Sequence, residues 1–223
     1  MREMAIEQHQ TGDVHVTLRT AARSGRLWAL AALYFCIVVA FYGVSFWLPQ
    51  IVQAASGLGS ATVVLLTAMP YVAATIGLVA IGSHSDARAE RRWHVAVPCL
   101  IGAAGFVLTV LAPPTAGASL TMLSVAAFGI WGTLGPFWAM PTAFLRGTAA
   151  AGGIAIVNSI GNIGGFVGPF AIGWVRDATG SFESGLLALA GVLVAGAAIA
   201  LSLPAAPSKA QGEKGSAHVA KDI

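Results

Sequence analysis

Six stretches of this chain, 27–48, 61–82, 95–111, 119–139, 150–174 and 185–203, each run for at least 17 residues without one Asp, Glu, Lys or Arg. A helix needs about 20 mostly apolar residues, within a range of about 17–25, to cross the hydrocarbon of a bilayer. The spacing therefore predicts an all-α integral membrane protein, a six-helix transmembrane bundle. Charge supports this: only 9% of the residues are charged, against about 25% in ordinary soluble domains. That is too little to coat a water-facing surface, which excludes a soluble enzyme and a nucleic-acid-binding domain. Cys36 and Cys99 both lie inside apolar runs, so neither a disulfide framework nor metal-ligand spacing is present.

Breakers separate the runs. Pro49 and the segment 56–60 are expected to close the first connection, Pro113-Pro114 the third, and Pro141 with Arg146 the end of the fourth span. The polar stretch 176–181 divides the last two. Such short turns predict antiparallel neighbours in one bundle, 27–203. Residues 1–26 are expected to be a cytoplasmic lead without signal-peptide character, and 204–223 a disordered cytoplasmic tail.

Basic residues orient the bundle. With connections numbered alternately, one side receives Arg2, Arg19, Arg23, Arg26, Arg88, Arg91, Arg92, Arg146, Lys209, Lys214 and Lys221, while the other receives only Arg176. Short loops rich in Lys and Arg stay in the cytoplasm, so both termini are expected there, with the chain in the cell (inner) membrane. Trp28, Trp47, Trp93 and Trp174 fall at span ends, where amphipathic rings favour the interface.

Polar groups inside the spans are the candidate site. Asn158, Gly161, Asn162 and Gly165 follow the i, i+3, i+4, i+7 rule and share one helical stripe, with Ser159 beside it. Two Gly-x-x-x-Gly pairs, Gly161/Gly165 and Gly164/Gly168, permit close helix approach. The amides are either glue between helices or the lining of a polar cavity. Trp131, Gly135, Trp138 and Thr142 align on the fourth span, with Pro136 and Pro141 positioned to bend it. Tyr71, with Thr67 and Thr75, marks the second span near Pro70, and Tyr42 with Ser45 marks the first. Each is a lining candidate or a core group. The connection 82–94 carries Asp86, Arg88, Glu90, Arg91 and Arg92, either a solvated anchor or a latch of paired charges at helix ends. All five histidines lie outside the spans, so no intramembrane proton relay or metal cage can be built from them. No nucleophile elbow, phosphate loop or zinc-protease motif occurs, and nothing implies an enzyme or a cofactor.

Residues 82–94 resemble the loop between the second and third helices of a half-domain in major facilitator superfamily transporters. Phe46-Trp47-Leu48-Pro49-Gln50, Met69-Pro70-Tyr71, Glu90-Arg91-Arg92-Trp93-His94, Phe137-Trp138-Ala139-Met140-Pro141-Thr142 and 158–169 resemble its anion:cation symporter branch, whose members carry hexuronates, aldonates, tartrate and phthalate-type carboxylates. The likeness runs from about Arg19 to Leu203 and implies the carboxy-terminal half only. Full members have two six-helix halves with the substrate between them near mid-membrane. The resemblance implies alternating access for a small organic anion, with the coupled proton and the anion's charge handled mainly by an amino-terminal half. It assigns Asn158, Ser159, Asn162, Trp138 and Thr142, and more weakly Tyr42, to substrate contact. Where the family places Arg directly after the loop Asp, Ala87 stands here, with Arg88 next, which implies a weakened latch. The partners implied are the bilayer and an amino-terminal half chain or a second copy. Two rivals stay open: a self-sufficient six-helix channel or permease oligomer, and a non-transporting membrane subunit.

Overall fold

A computed structural model describes residues 23–144 and 147–204. Among them are eight helices: α1 (Gly25–Ser56), α2 (Ser60–Leu66), α3 (Ala68–Arg88), α4 (Arg92–Leu111), α5 (Ala116–Gly132), α6 (Leu134–Phe144), α7 (Gly147–Thr179) and α8 (Glu183–Ser202). The pairs α2/α3 and α5/α6 each form one span, giving six membrane-capable segments. The expected lead and tail, and Arg146, lie largely or wholly outside the described residues.

Helix ends follow proline chemistry, though not at every proline. A proline has no N–H and its ring crowds the carbonyl four residues back. The helix breaks after Leu66, four residues before Pro70, and after Gly132, four before Pro136. At each break a threonine turns its hydroxyl onto its own helix: Thr67 Oγ1 donates to the Val64 carbonyl at 2.7 Å and Thr133 Oγ1 to that of Ile130 at 2.6 Å. Pro49, Pro98, Pro141 and Pro169 have no threonine three residues before them, and their helices continue. The first helix consequently passes the expected stop at Pro49 and ends at Gly57, whose φ of 64° is the left-handed geometry that glycine accepts readily.

The six segments pack in the order α3, α5, α4, α8, α1, α7, with α1 also meeting α5 at the centre. The two triplets of spans are arranged alike: α3 lies on α5 as α7 lies on α1, and α4 on α5 as α8 on α1. The closest of these contacts rest on small residues on facing stripes. A Cβ on Gly164 would sit 2.8 Å from the Phe35 carbonyl oxygen, and one on Gly168 would collide with that of Val39. Gly77 faces the Phe128 backbone on α5, and Gly102 and Gly129 bring α4 and α5 together. Leu27, Leu33, Ile37, Phe106, Leu123, Ile130 and Leu193 fill the core. The outer helices α3 and α7 are the least buried of the six segments.

Candidate functional site

The polar stripe of α7 lies on its exposed side. Asn158, Ser159 and Asn162 are all exposed. The Asn162 amide donates to the Asn158 backbone carbonyl at 2.9 Å and to its side-chain oxygen at 3.0 Å. The two amides therefore bind each other, one turn apart, and among the described residues no interhelical bond of theirs ties the bundle.

The glycines of α7 divide into two registers. Gly164 and Gly168 take the α1 backbone, as above. Gly161 and Gly165 instead seat side chains: a Cβ on Gly161 would overlap the Tyr34 ring, and one on Gly165 would lie 3.3 Å from that of Tyr42. Tyr34 in turn stacks on Phe137 (centroids 4.9 Å, 11° between planes) and meets Trp138 edge-on at 4.8 Å. This joins the amide stripe to α6 through a single ring. Deeper along α1, Phe41 packs on Trp131 at 4.1 Å and on Tyr42 at 5.1 Å, and Trp131 meets Tyr71 of α3 edge-on at 5.9 Å. Tyr42 and Tyr71 are 45% and 41% exposed, so both present their hydroxyl ends outside the core. Ser45, Pro70, Tyr71 and Trp131 line a narrow cleft of about 10 Å³ between α1, α3 and α5. Thr142 is exposed, but its hydroxyl donates to the Ala139 carbonyl at 3.1 Å.

Phe137 of the quoted motif completes this aromatic face together with Tyr34 and Phe41, which no motif marks in the sequence. Their signal was spacing: Phe41 and Tyr42 lie seven and eight residues beyond Tyr34 on one helix face, as Trp138 lies seven beyond Trp131. Among the described residues, no charged side chain lies on this face, so it can stack and donate hydrogen bonds but cannot neutralise a charge.

The two ends of the bundle are built differently. Between α3 and α4, Asp86 pairs with Arg91 at 2.6 Å, not with its helical neighbour Arg88. Arg91 also donates to the buried Ser85 hydroxyl at 2.8 Å, which donates to the Glu90 carbonyl at 2.5 Å. The Glu90 carboxylate accepts the Trp93 N–H at 2.9 Å and the His94 N–H at 3.3 Å, capping α4 from just before its start. Partial burial pushes the Glu90 carboxyl up, but these N–H groups and the His94 ring outweigh it and hold it below its ordinary value. Arg92 reaches across to the last turn of α8 and donates to the Leu201 carbonyl. Trp28, Trp93 and Trp174 are exposed, whereas at the end opposite the α3–α4 turn Trp47 turns inward. Its indole N–H donates to the Pro169 carbonyl at 2.9 Å, and Arg176 lies 5.6 Å from its ring and 5.1 Å from that of Phe182.

Comparison with known proteins agrees with this architecture. The model of the Major Facilitator Superfamily matches residues 5–169. A protein of Agrobacterium vitis bearing the name of a tartrate transporter is 40% identical over 215 residues, covering 94% of this chain and 46% of that one. The inner membrane transport protein RhmT of Escherichia coli is 39% identical, over 91% of this chain and 47% of its own length. The crystal structure of the E. coli fucose:proton symporter superposes with a TM-score of 0.69 at 17% identity, over 85% of this chain and 46% of that one. The chain thus spans about half the length of the relatives it matches. With six apolar spans, interfaces of glycine on backbone and a match to the family model over most of its length, the chain belongs to the Major Facilitator Superfamily.

Proposed function

We propose that this chain is the carboxy-terminal half of a proton-coupled transporter that carries a small organic anion across the inner membrane by alternating access, with both termini in the cytoplasm. One observation carries the reading: the amides of Asn158 and Asn162 are exposed on the outer helix α7, and the aromatic face built on Tyr34, Tyr42, Tyr71 and Trp138 is only partly covered by the bundle. An exposed amide pair at mid-span is costly against hydrocarbon, and it is satisfied if a second half encloses a polar cavity there. In this arrangement Asn158 and Ser159 donate to the solute's oxygens and Asn162 exchanges its bond to the Asn158 side-chain oxygen for one to the solute, while Trp138, Tyr42 and Tyr71 wall it and Thr142 offers an acceptor. The tartrate-transporter name of a 40% identical relative supports a carboxylate as the cargo. The uncharged character of the face supports leaving charge neutralisation and the coupled proton to the other half. Asp86, Arg91 and Glu90 then form the cytoplasmic latch, with Arg88 and Arg92 at its flanks.

The test is Asn162→Leu in the transporter reassembled from both halves. Uptake of radiolabelled tartrate should fall at least tenfold, the loss of about 1.4 kcal/mol of binding, with the amount of protein in the membrane unchanged. Unaltered kinetics would remove Asn162 from the site.

A further inference from the structure

Two histidines at the α3–α4 turn are used by no part of the transport reading. His84 lies one turn before the end of α3, and His94 lies in the first turn of α4, with only Ala89, Glu90 and Arg91 between the helices. His84 Nδ1 and His94 Nε2 are 2.7 Å apart, and the ring centroids are 4.9 Å apart. The other nitrogen of His94, Nδ1, is 2.7 Å from Glu90 Oε2.

The proton inventory follows from these two distances. An ionised carboxylate only accepts, so His94 Nδ1 carries hydrogen. The gap between the rings then requires one N–H and one lone pair. With both rings neutral, His84 donates to His94 Nε2. With one proton added, His94 is an imidazolium held between Glu90 and His84, and it becomes the donor. With a second proton, two N–H groups face each other at hydrogen-bond distance and the rings must separate. The arrangement accommodates one positive charge and rejects two.

We propose that His84, His94 and Glu90 form a proton-operated clasp that holds the α3–α4 turn closed until the adjoining solution acidifies, when double protonation of the histidine pair releases it. The surroundings reinforce the asymmetry. Glu90 favours the first charge, whereas Arg88, Arg91 and Arg92 on the same turn oppose a second. Asp86 offsets them only in part, because Arg91 occupies it at 2.6 Å. The packed helices α5, α6 and α8 bring no charged side chain to this end among the described residues. Release also reaches the latch, since Glu90 joins the clasp by its carboxylate and Ser85 by its carbonyl. The inference rests on the proposed function only for its consequence, which is that cytoplasmic acid would loosen the turn of a transporter. The release itself is local.

Hydrogen exchange of segment 82–94, measured on the full chain in nanodiscs between about pH 8 and about pH 5, brackets histidine titration. After correction for the intrinsic pH dependence of exchange, acid should speed exchange there about fivefold, as expected for one lost hydrogen bond, while α8 stays unchanged. In His84→Gln the step should vanish, because an amide meets either form of the His94 nitrogen. No step in the unaltered chain, or an equal step in His84→Gln, overturns the clasp. Imidazole ¹⁵N spectra of the unaltered chain give a second reading that needs no variant. A hydrogen-bonded donor–acceptor pair that disappears in acid supports the clasp, and two rings titrating independently overturn it. Neither measurement involves uptake, so a failed transport reading leaves both outcomes legible.

Discussion

Gly161 and Gly168 lie seven residues apart on α7, on opposite sides of one division of labour. At Gly168 an added methyl would meet the Val39 carbonyl, part of the α1 backbone, which cannot step aside. Gly168→Ala should therefore separate the helices and lower stability by about 1–3 kcal/mol, read as an earlier thermal unfolding midpoint in detergent. At Gly161 the methyl's nearest neighbours are all in the Tyr34 ring, a side chain that can swing off Phe137. Gly161→Ala should unfold close to the unaltered chain yet weaken solute binding, and Tyr34→Ala in the same chain should cancel the effect of the methyl, a coupling that a double-mutant cycle measures. Glu90 gives a pH signature. Its carboxyl is held below the ordinary value near 4.5, so the charged cap stabilises the fold above that pH and ceases to do so as pH falls through the lower folded-state value. The stability gap between the unaltered chain and Glu90→Gln should be open at about pH 7 and shrink as pH falls below the ordinary carboxylate value, by thermal unfolding across that range.

For a whole helix, proline placement decides where spans bend. α5 and α6 are one hydrophobic run, divided because Pro136 cannot bond the Gly132 carbonyl and Thr133 turns inward beside it. The junction sits between Trp131 and Trp138, so its angle fixes how the two indoles stand relative to each other. Pro136→Ala should restore the missing bond and straighten the junction. A spin-label distance across the span should lengthen, and uptake in the reassembled transporter should slow while insertion is unchanged. The same rule agrees with the extension of α1 beyond Pro49: no threonine stands three residues before it, and the Trp47 bond to Pro169 anchors that turn to α7.

The whole molecule has a row of helices with two poorly covered ends, α3 and α7. On the proposed function, the polar stripe at one of those ends meets a second half rather than lipid. Co-expression with an amino-terminal six-helix chain should give proton-dependent tartrate uptake that neither chain gives alone. Uptake by this chain alone, without need of a proton gradient, would instead favour a self-sufficient oligomer.

Six charge-free runs and the placement of the basic residues made the membrane class, the number of spans and the candidate orientation legible in the sequence, because the cost of charge in hydrocarbon acts on each residue separately. Helical spacing likewise put Asn158 and Asn162 on one stripe, and it grouped Trp131 with Trp138. The rest required long-range geometry. Which glycine register carries backbone and which carries rings depends on where α1 lies against α7, and both registers obey the same four-residue spacing. Tyr34 reaches the site only because Gly161 leaves room for its ring. Asp86 chooses Arg91 over Arg88 because the turn after α3 folds the chain back on itself, and that same fold brings His84 to His94 across ten residues. Local chemistry sorts side chains by solvent, whereas pairing is decided by the directions in which the helices leave their turns.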